Sequence, residues 1–224
     1  MALPRLCYQT LVFRDTDIHL CTLRDRQQFH DPDNVAASLG ISPALWPLFG
    51  VVWPSSLALA DFIDGYDTGR KRILEVGCGI ALPSLLLNAR CADITATDQH
   101  PEAAAFLLRN TALNHGATIA FERTGWADHN DRLGLFDLII ASDVLYEHGQ
   151  VELLAAFINA HAHPVCEVIV VDPGRGRKSK LVTAMKALGY GCSYQLLPKS
   201  TEPGRQFSGH ILKFVRPSLL PDAQ

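Results

Sequence analysis

The sequence predicts an α/β fold built on a doubly wound, largely parallel sheet, and three observations carry that expectation. From Arg72 to about residue 190, short apolar runs alternate with helical patterns. Two of those runs, Leu138-Ile-Ile-Ala141 and Val168-Ile-Val-Val171, are continuously apolar, as parallel strands covered on both faces are. The third is the stretch Arg72-Ile-Leu-Glu-Val-Gly-Cys-Gly-Ile-Ala-Leu-Pro-Ser84, which reads as a buried strand running into a glycine-rich turn and then a helix.

The chain opens with two β-prone runs, Gln9–Phe13 and Ile18–Leu23, joined as a hairpin by Arg14-Asp-Thr-Asp17. Asp31-Pro-Asp-Asn34 reads as a turn or cap. Pro43, Pro47 and Pro54 break up the apolar segment that holds Trp46, Phe49 and Trp53, until Ser55 offers a cap for a helix through Ile63. Plain core packing is the better reading for Trp46. Strands are expected at 72–76, 93–98, 118–122, 136–142 and 167–172, and helices at 82–89, 101–114, 150–161 and 178–188. Pro101 suits a first helical turn, and Gly116 and Gly189 suit helix ends. Beyond the last helix, Cys192–Leu197 and His210–Val215 are strands with no helix between them, which must pair antiparallel or lie apart. The organisation expected is an N-terminal β-hairpin and lead-in over 1–47, one domain over 48–217 and a tail over 218–224.

Composition narrows the function. At 224 residues and 48% hydrophobic, the chain suits one domain with a full core. A net charge of −3 lacks the basic excess of a generic nucleic-acid binder. Six cysteines without a C-x-x-C pair read as reduced packing residues. With no N-terminal targeting pattern and no uninterrupted apolar stretch of roughly 18 residues, the expectation is a soluble, cytoplasmic protein with no membrane role.

The glycine-rich turn is a nucleotide pocket in prospect. Gly77 and Gly79 let the backbone turn sharply and approach a ligand, amides opening the next helix point into the same space, and Glu75 stands ready to accept hydrogen bonds from a ligand's amine or hydroxyl groups. A dinucleotide fits poorly, because the third glycine of G-x-G-x-x-G falls on Leu82. The stretch resembles instead the first motif of class I S-adenosylmethionine methyltransferases, E/D-x-G-x-G-x-G, with Ala81 in place of the last glycine. Asp98 ends the next strand roughly 20 residues after Gly77, the separation that sets an acid beside a ribose.

After the fourth strand of the alternating set comes Ser142-Asp143-Val-Leu-Tyr146-Glu147, where Asp143 and Tyr146 have the D/N-x-x-Y/F spacing of amino-directed methyltransferases. Together with Gly50-Val-Val-Trp-Pro-Ser55 and Leu74–Gly79, this segment resembles the family-16 protein-lysine methyltransferases over roughly residues 48–190. The resemblance implies a Rossmann-like seven-strand methyltransferase sheet ending in a C-terminal antiparallel hairpin, the N-terminal β-hairpin being a small addition. It implies S-adenosyl-L-methionine as cofactor and a protein substrate with an accessible lysine. In that mapping Trp53 covers the cofactor, Glu75, Gly77 and Gly79 form the glycine motif, Asp98 binds the ribose and Trp126 packs beside the adenine. Asp143 and Tyr146 line the methyl-transfer pocket, where the Asp143 side chain either orients substrate or caps the following helix.

The loop Asp172-Pro-Gly-Arg-Gly-Arg-Lys-Ser-Lys180 sets four basic residues at a helix N-terminus, where the macrodipole disfavours cations. The functional reading is that Arg175 and Arg177 dock an acidic substrate surface or a phosphate; the plain one is a solvated charge run. His161-Ala-His163 has no carboxylate or cysteine set to complete a metal site, and His148 reads as a surface-loop histidine. N-methylation of a small molecule or an RNA base, a non-catalytic cofactor-binding or partner-binding module and a nicotinamide oxidoreductase are the alternatives.

Overall fold

The computed structural model describes residues 3–130, 132–145, 149–197 and 207–216. In chain order the elements are β1 (Leu6–Phe13), β2 (Thr16–Leu23), α1 (Val35–Ser38), a 3₁₀ turn over Trp46–Gly50, α2 (Pro54–Asp64), β3 (Arg72–Val76), α3 (Leu82–Ala89), β4 (Asp93–Asp98), α4 (Ala103–Leu113), β5 (Ala120–Arg123), β6 (Phe136–Ser142), α5 (Gln150–Ala160), β7 (Ala162–Asp172), α6 (Lys178–Ala187), β8 (Gly191–Leu197) and β9 (Gly209–Arg216). Seven strands form one sheet in the order β5-β4-β3-β6-β7-β9-β8. The first five run parallel, and β9 inserts antiparallel between β7 and β8. The order reverses between β3 and β6, so a crevice opens at the carboxyl ends of those strands, where open α/β sheets bind ligands.

Alternation along the central strands sends side chains to two cores. Ile73, Leu138, Ile140, Ile169 and Val171 join Leu59, Ile63, Leu82 and Leu85 on the α2–α3 face. Leu74, Val76, Ile139, Val168 and Val170 join Leu154, Ile158, Leu181 and Met185 on the α5–α6 face. The N-terminal hairpin shares the first core through Phe13, Ile18, Leu20 and Leu23. It is also tied to α4 by two asparagines. Asn110 exchanges hydrogen bonds with the backbone N–H and C=O of Cys21 (2.7 and 3.2 Å), and Asn114 does the same with His19 (2.7 Å each). An i,i+4 pair rises about 6 Å along a helix and an i,i+2 pair about 7 Å along a strand, so the side chains of α4 stand in for a third strand.

Several boundaries differ from expectation. β7 begins at Ala162 rather than at 167: Ala162 pairs with Phe136 across a register shift between Phe136 and Leu138, and Cys166 pairs with Arg216 of β9. β5 covers Ala120–Arg123 rather than 118–122. Pro101 lies in the turn ahead of α4, which starts at Ala103. Ser55 does not cap α2: Trp53 occupies the cap, Pro54 the first turn, and the Ser55 hydroxyl is buried without a partner. After α4 the left-handed residue is His115 rather than Gly116, whereas Gly189 takes that conformation as expected. Trp46 is core, 2% exposed. Trp46–Asp64 has the length and mean composition of a membrane-crossing helix, but Ser55, Ser56 and Asp61 interrupt its apolar residues, residues 51–53 break the helix and most of it packs inside the protein. All six cysteines are thiols, and Cys7 and Cys91 are exposed rather than packed.

Opposite the crevice, Glu167 of β7 ties three elements together. It accepts from Lys71, from Lys213 (2.8 Å) and from the Tyr66 hydroxyl (3.0 Å), and Lys213 also reaches the Tyr66 oxygen at 3.1 Å. Burial pushes the Glu167 carboxyl up, but the hydrogen bonds from Lys213, Lys71 and Tyr66 outweigh it and bring the carboxyl down to about 2. A depressed acid stabilises the fold fully above its unfolded value of 4.5 and loses that contribution as the pH falls toward 2. Glu167→Gln should therefore cost about 1–2 kcal/mol at pH 7, solvent screening included, and show little difference from wild type near pH 2. Urea unfolding at both pH values measures this.

Candidate active site

The crevice is built at the glycine turn. Gly77, Gly79 and Ala81 all have left-handed backbones, with φ of 63°, 53° and 58°. Ala81 therefore bears strain of roughly 1–2 kcal/mol at the position where the motif more often has glycine. Space is as tight as torsion. A Cβ on Gly77 would come within 3.0 Å of Val144 Cγ1 and 4.0 Å of Trp126 Cζ2, and one on Gly79 within 3.2 Å of the Phe49 carbonyl oxygen. The glycines thus fit protein packed against the turn as well as any ligand above it.

Two acids hold the turn in place. Glu75, 2% exposed, accepts from the backbone N–H of Ser84 at 3.0 Å and from its hydroxyl, tying the end of β3 to the first turn of α3. The sequence presents Glu75 as an acceptor for a ligand; the fold gives its Oε2 to Ser84. Burial pushes the Glu75 carboxyl up to about 8, the two Ser84 bonds resist, and the nearby Asp98 charge adds to the rise. Asp98, half-buried at the end of β4, accepts from Gly79 N–H on Oδ2 and from His100 N–H on Oδ1, both at 2.8 Å. Burial raises its carboxyl, opposed by the backbone N–H groups of His100, Gly79 and Gln99. Each oxygen keeps a lone pair for a further donor, so the residue fits a ribose diol.

The aromatic residues are placed at different depths. Trp126, half-buried, edges Gly77 beside Val144. Trp53 stands one step out: its Nε1–H donates to the Leu48 carbonyl at 2.8 Å, next to the Phe49 backbone that abuts Gly79, and the Arg26 guanidinium lies 4.9 Å from its ring centroid. Sequence reasoning missed His100. Its ring stacks on Phe49 at 3.9 Å and 17°, and burial drives it down to about 4, with Asp31 pulling the other way, so it is neutral at neutral pH. Its place two residues after Asp98 was the available signal.

On the far side of the crevice, Asp143 and Arg175 form a bidentate pair, with Nε to Oδ1 at 2.6 Å and Nη2 to Oδ2 at 2.7 Å. Asp143 has φ of 53° and donates its N–H to Val171 O at 2.9 Å. Arg177 donates to the Leu145 carbonyl at 3.1 Å, and Lys178 lies over the Tyr194 ring at 4.5 Å. The basic run at the start of α6 thus has partners within the fold. Both arginines proposed for docking already bind the 143–145 segment, and Asp143 pairs with Arg175 rather than capping α5, whose N-cap is Gly149. Tyr146 and His148 lie outside the described residues. His161 contacts the Gly134 carbonyl at 3.0 Å, and no cluster of three or more metal-ligating side chains occurs among the described residues.

A seven-stranded sheet with this order, a glycine turn after its first parallel strand and an acid after its second defines the class I methyltransferase architecture. The family model for lysine methyltransferase matches residues 48–186, and the chain belongs to that family. Among curated relatives, a putative methyltransferase-like protein 21E pseudogene of Homo sapiens is 30% identical over 148 residues, covering 60% of this chain and 53% of that one. The protein-lysine methyltransferase METTL21E of Bos taurus is 35% identical over 121 residues, covering 48% and 41%. The chain spans about half the length of the curated relatives it matches. Among solved structures, a methyltransferase from Pyrococcus furiosus superposes with a TM-score of 0.57 at 20% identity, over 72% of this chain and 82% of that one. A magnesium protoporphyrin IX methyltransferase from Synechocystis with bound SAM gives 0.58 at 17%, over 73% and 80%. At such identities the structures share the fold.

Because Glu75 holds its proton more tightly folded than unfolded, its contribution to stability is complete below the unfolded value of 4.5 and is lost as the pH rises through about 8. Glu75→Gln, which stays neutral, should remove that decline between pH 4.5 and 8 and so gain on wild type as the pH rises, whereas Glu75→Ala should cost about 2 kcal/mol or more at pH 5. Urea titrations at pH 5, 7 and 9 test the pair.

Proposed function

We propose that this protein transfers a methyl group from S-adenosylmethionine to the side-chain nitrogen of a lysine in a protein substrate. The observation that carries the reading is the crevice itself: Gly77, Gly79 and Asp98 meet at the carboxyl ends of β3 and β4, inside the segment matched by the lysine methyltransferase family. The curated relatives described as protein-lysine methyltransferases support the choice of acceptor.

The residues present fit the cofactor. Asp98 would hold the ribose hydroxyls, Trp126 would flank the adenine, and the backbone of the 77–81 turn would lie beside the rest of the molecule. When bound, S-adenosylmethionine supplies a methyl group already activated on a sulfonium. The protein then has to deliver a neutral amine in line. A lysine has a reference pKa of about 10.4, so the pocket works by desolvating the ammonium and admitting its loss of a proton. Trp53 provides an aromatic wall that favours the cationic transition state by position, and the Asp143–Arg175 pair joins the loops after β6 and β7. In this reading Tyr146, three residues beyond Asp143, supplies the hydroxyl of the pocket.

Pure protein mixed with methyl-labelled S-adenosylmethionine and extract from cells lacking its gene should label macromolecules in a protease-sensitive, RNase-resistant form that hydrolyses to methyl-lysine. Asp98→Ala should remove about nine-tenths or more of the label while leaving the protein folded. Label recovered in RNA or in a small molecule would overturn the acceptor, and no label with the cofactor bound would overturn the activity.

A further inference from the structure

A groove of about 320 Å³ lies outside the crevice, between the N-terminal hairpin and the segment that leads into α2. Its volume is at the low end of ligand sites, enough for one or two side chains. Cys7, Gln9 and Leu11, alternate residues of β1, form one wall, and Val51, Val52 and Leu57 face them. Arg24 and Arg26 supply the charge, both exposed, and Arg26 reaches from the groove to the Trp53 ring. The groove and the methyl-transfer rim are therefore joined by one side chain.

The strand that walls the groove also has an open edge. His19 and Cys21 turn their backbone N–H and C=O groups away from β1, toward Asn114 and Asn110. Directly opposed residues of an antiparallel ladder point the same way relative to their shared hydrogen bonds: both inward or both outward. Thr10 and Tyr8 oppose His19 and Cys21, so their N–H and C=O groups also face out, on the far edge of the sheet. Among the described residues β2 is the only sheet neighbour of β1. While α4 closes the β2 edge with asparagines, the β1 edge carries exposed Tyr8 and Thr10.

Resting on the reading of a protein substrate, we propose that an extended segment of that substrate docks by adding a strand to the outer edge of β1, with an apolar and an acidic side chain two residues apart on the face toward the groove. Backbone hydrogen bonds to Tyr8 and Thr10 would hold it, an apolar side chain would settle between Leu11 and Val51-Val52, and an acidic one would meet Arg24 and Arg26. This places recognition of acidic sequence at the hairpin, whereas Arg175 and Arg177 are engaged with the 143–145 segment. The path from the groove past Arg26 to Trp53 leads the neighbouring lysine toward the rim.

The probe is a short acetylated peptide with leucine and glutamate two residues apart, serine between them, one lysine beyond and a fluorescent label, with binding read by anisotropy and without methyl transfer. Thr10→Pro removes the outward N–H and leaves the β1–β2 ladder bonds in place. Thr10→Ala controls for the lost contact of Oγ1 with His19 Nδ1 at 2.9 Å. Arg24→Glu is an exposed change that tests the charge even if the proline variant unfolds. Thr10→Pro and Arg24→Glu should each weaken the peptide about tenfold or more, and Thr10→Ala should not. In a Cys91→Ser background, bound peptide should protect Cys7 from alkylation. Affinity for S-adenosylhomocysteine, measured by calorimetry, should be the same in all variants. Undiminished binding to Thr10→Pro and Arg24→Glu, binding without protection of Cys7, equal binding of a peptide with lysine in place of glutamate, or no binding to wild type would overturn the proposal. Label transfer in extract is read separately, so that loss of the docking site and loss of the enzymatic reading give different results.

Discussion

The crevice depends on one buried contact, the Glu75 carboxyl group with Ser84. Three residues of the turn between them, Gly77, Gly79 and Ala81, hold left-handed backbones, and a chain that turns so sharply needs its two ends fixed. Glu75 fixes the strand end to the helix start, and Asp98 fixes the middle through Gly79 N–H. Burial keeps the Glu75 carboxyl largely protonated at neutral pH, which limits the cost of an acid inside the core. The turn is then rigid before a ligand arrives, and binding does not have to order it.

Around that turn, the neighbouring elements are packed rather than merely adjacent. Val144 and Trp126 press on Gly77, and the Phe49 carbonyl presses on Gly79. His100 stacks on the Phe49 ring directly after the residues that carry Asp98. The segment before α2, the loop after β4 and the loop after β6 therefore share one packing unit. Across the crevice the Asp143–Arg175 pair joins the loops after β6 and β7, and Arg177 adds a bond to the same loop. This arrangement gives a reason for cations at the start of α6 despite the macrodipole: each arginine neutralises or satisfies an acceptor on the neighbouring loop, and Lys178 rests on Tyr194.

The hairpin is less peripheral than an N-terminal addition suggests. Its inner face is continuous with the core on the α2–α3 side, and Asn110 and Asn114 close one edge of it. A polar pair on α4 is unremarkable in a linear reading, because asparagine is common at helix surfaces and ends. Only the match between helical and strand rise turns it into an edge cap. With that edge closed and the other open, the two strands of the hairpin are unequal, and the groove beside β1 lies on the open side.

The sequence by itself determined the sheet, the glycine turn, the terminal hairpin and most of the helices, since each rests on local pattern: continuous apolar runs, glycine spacing, and strands without an intervening helix. It also marked Gly77, Gly79 and Asp98, because residues at strand ends are brought to one rim by any doubly wound topology, and Trp126 through the family resemblance. Partnership was decided only by tertiary structure. Glu75 with Ser84, Asp143 with Arg175, and the neutral His100 against Phe49 join positions whose side-chain directions and burial no local pattern encodes. The same holds for the longer β7, whose Ala162 pairs with Phe136 across a register shift, and for His115 at the end of α4, which takes the left-handed conformation one position before the glycine.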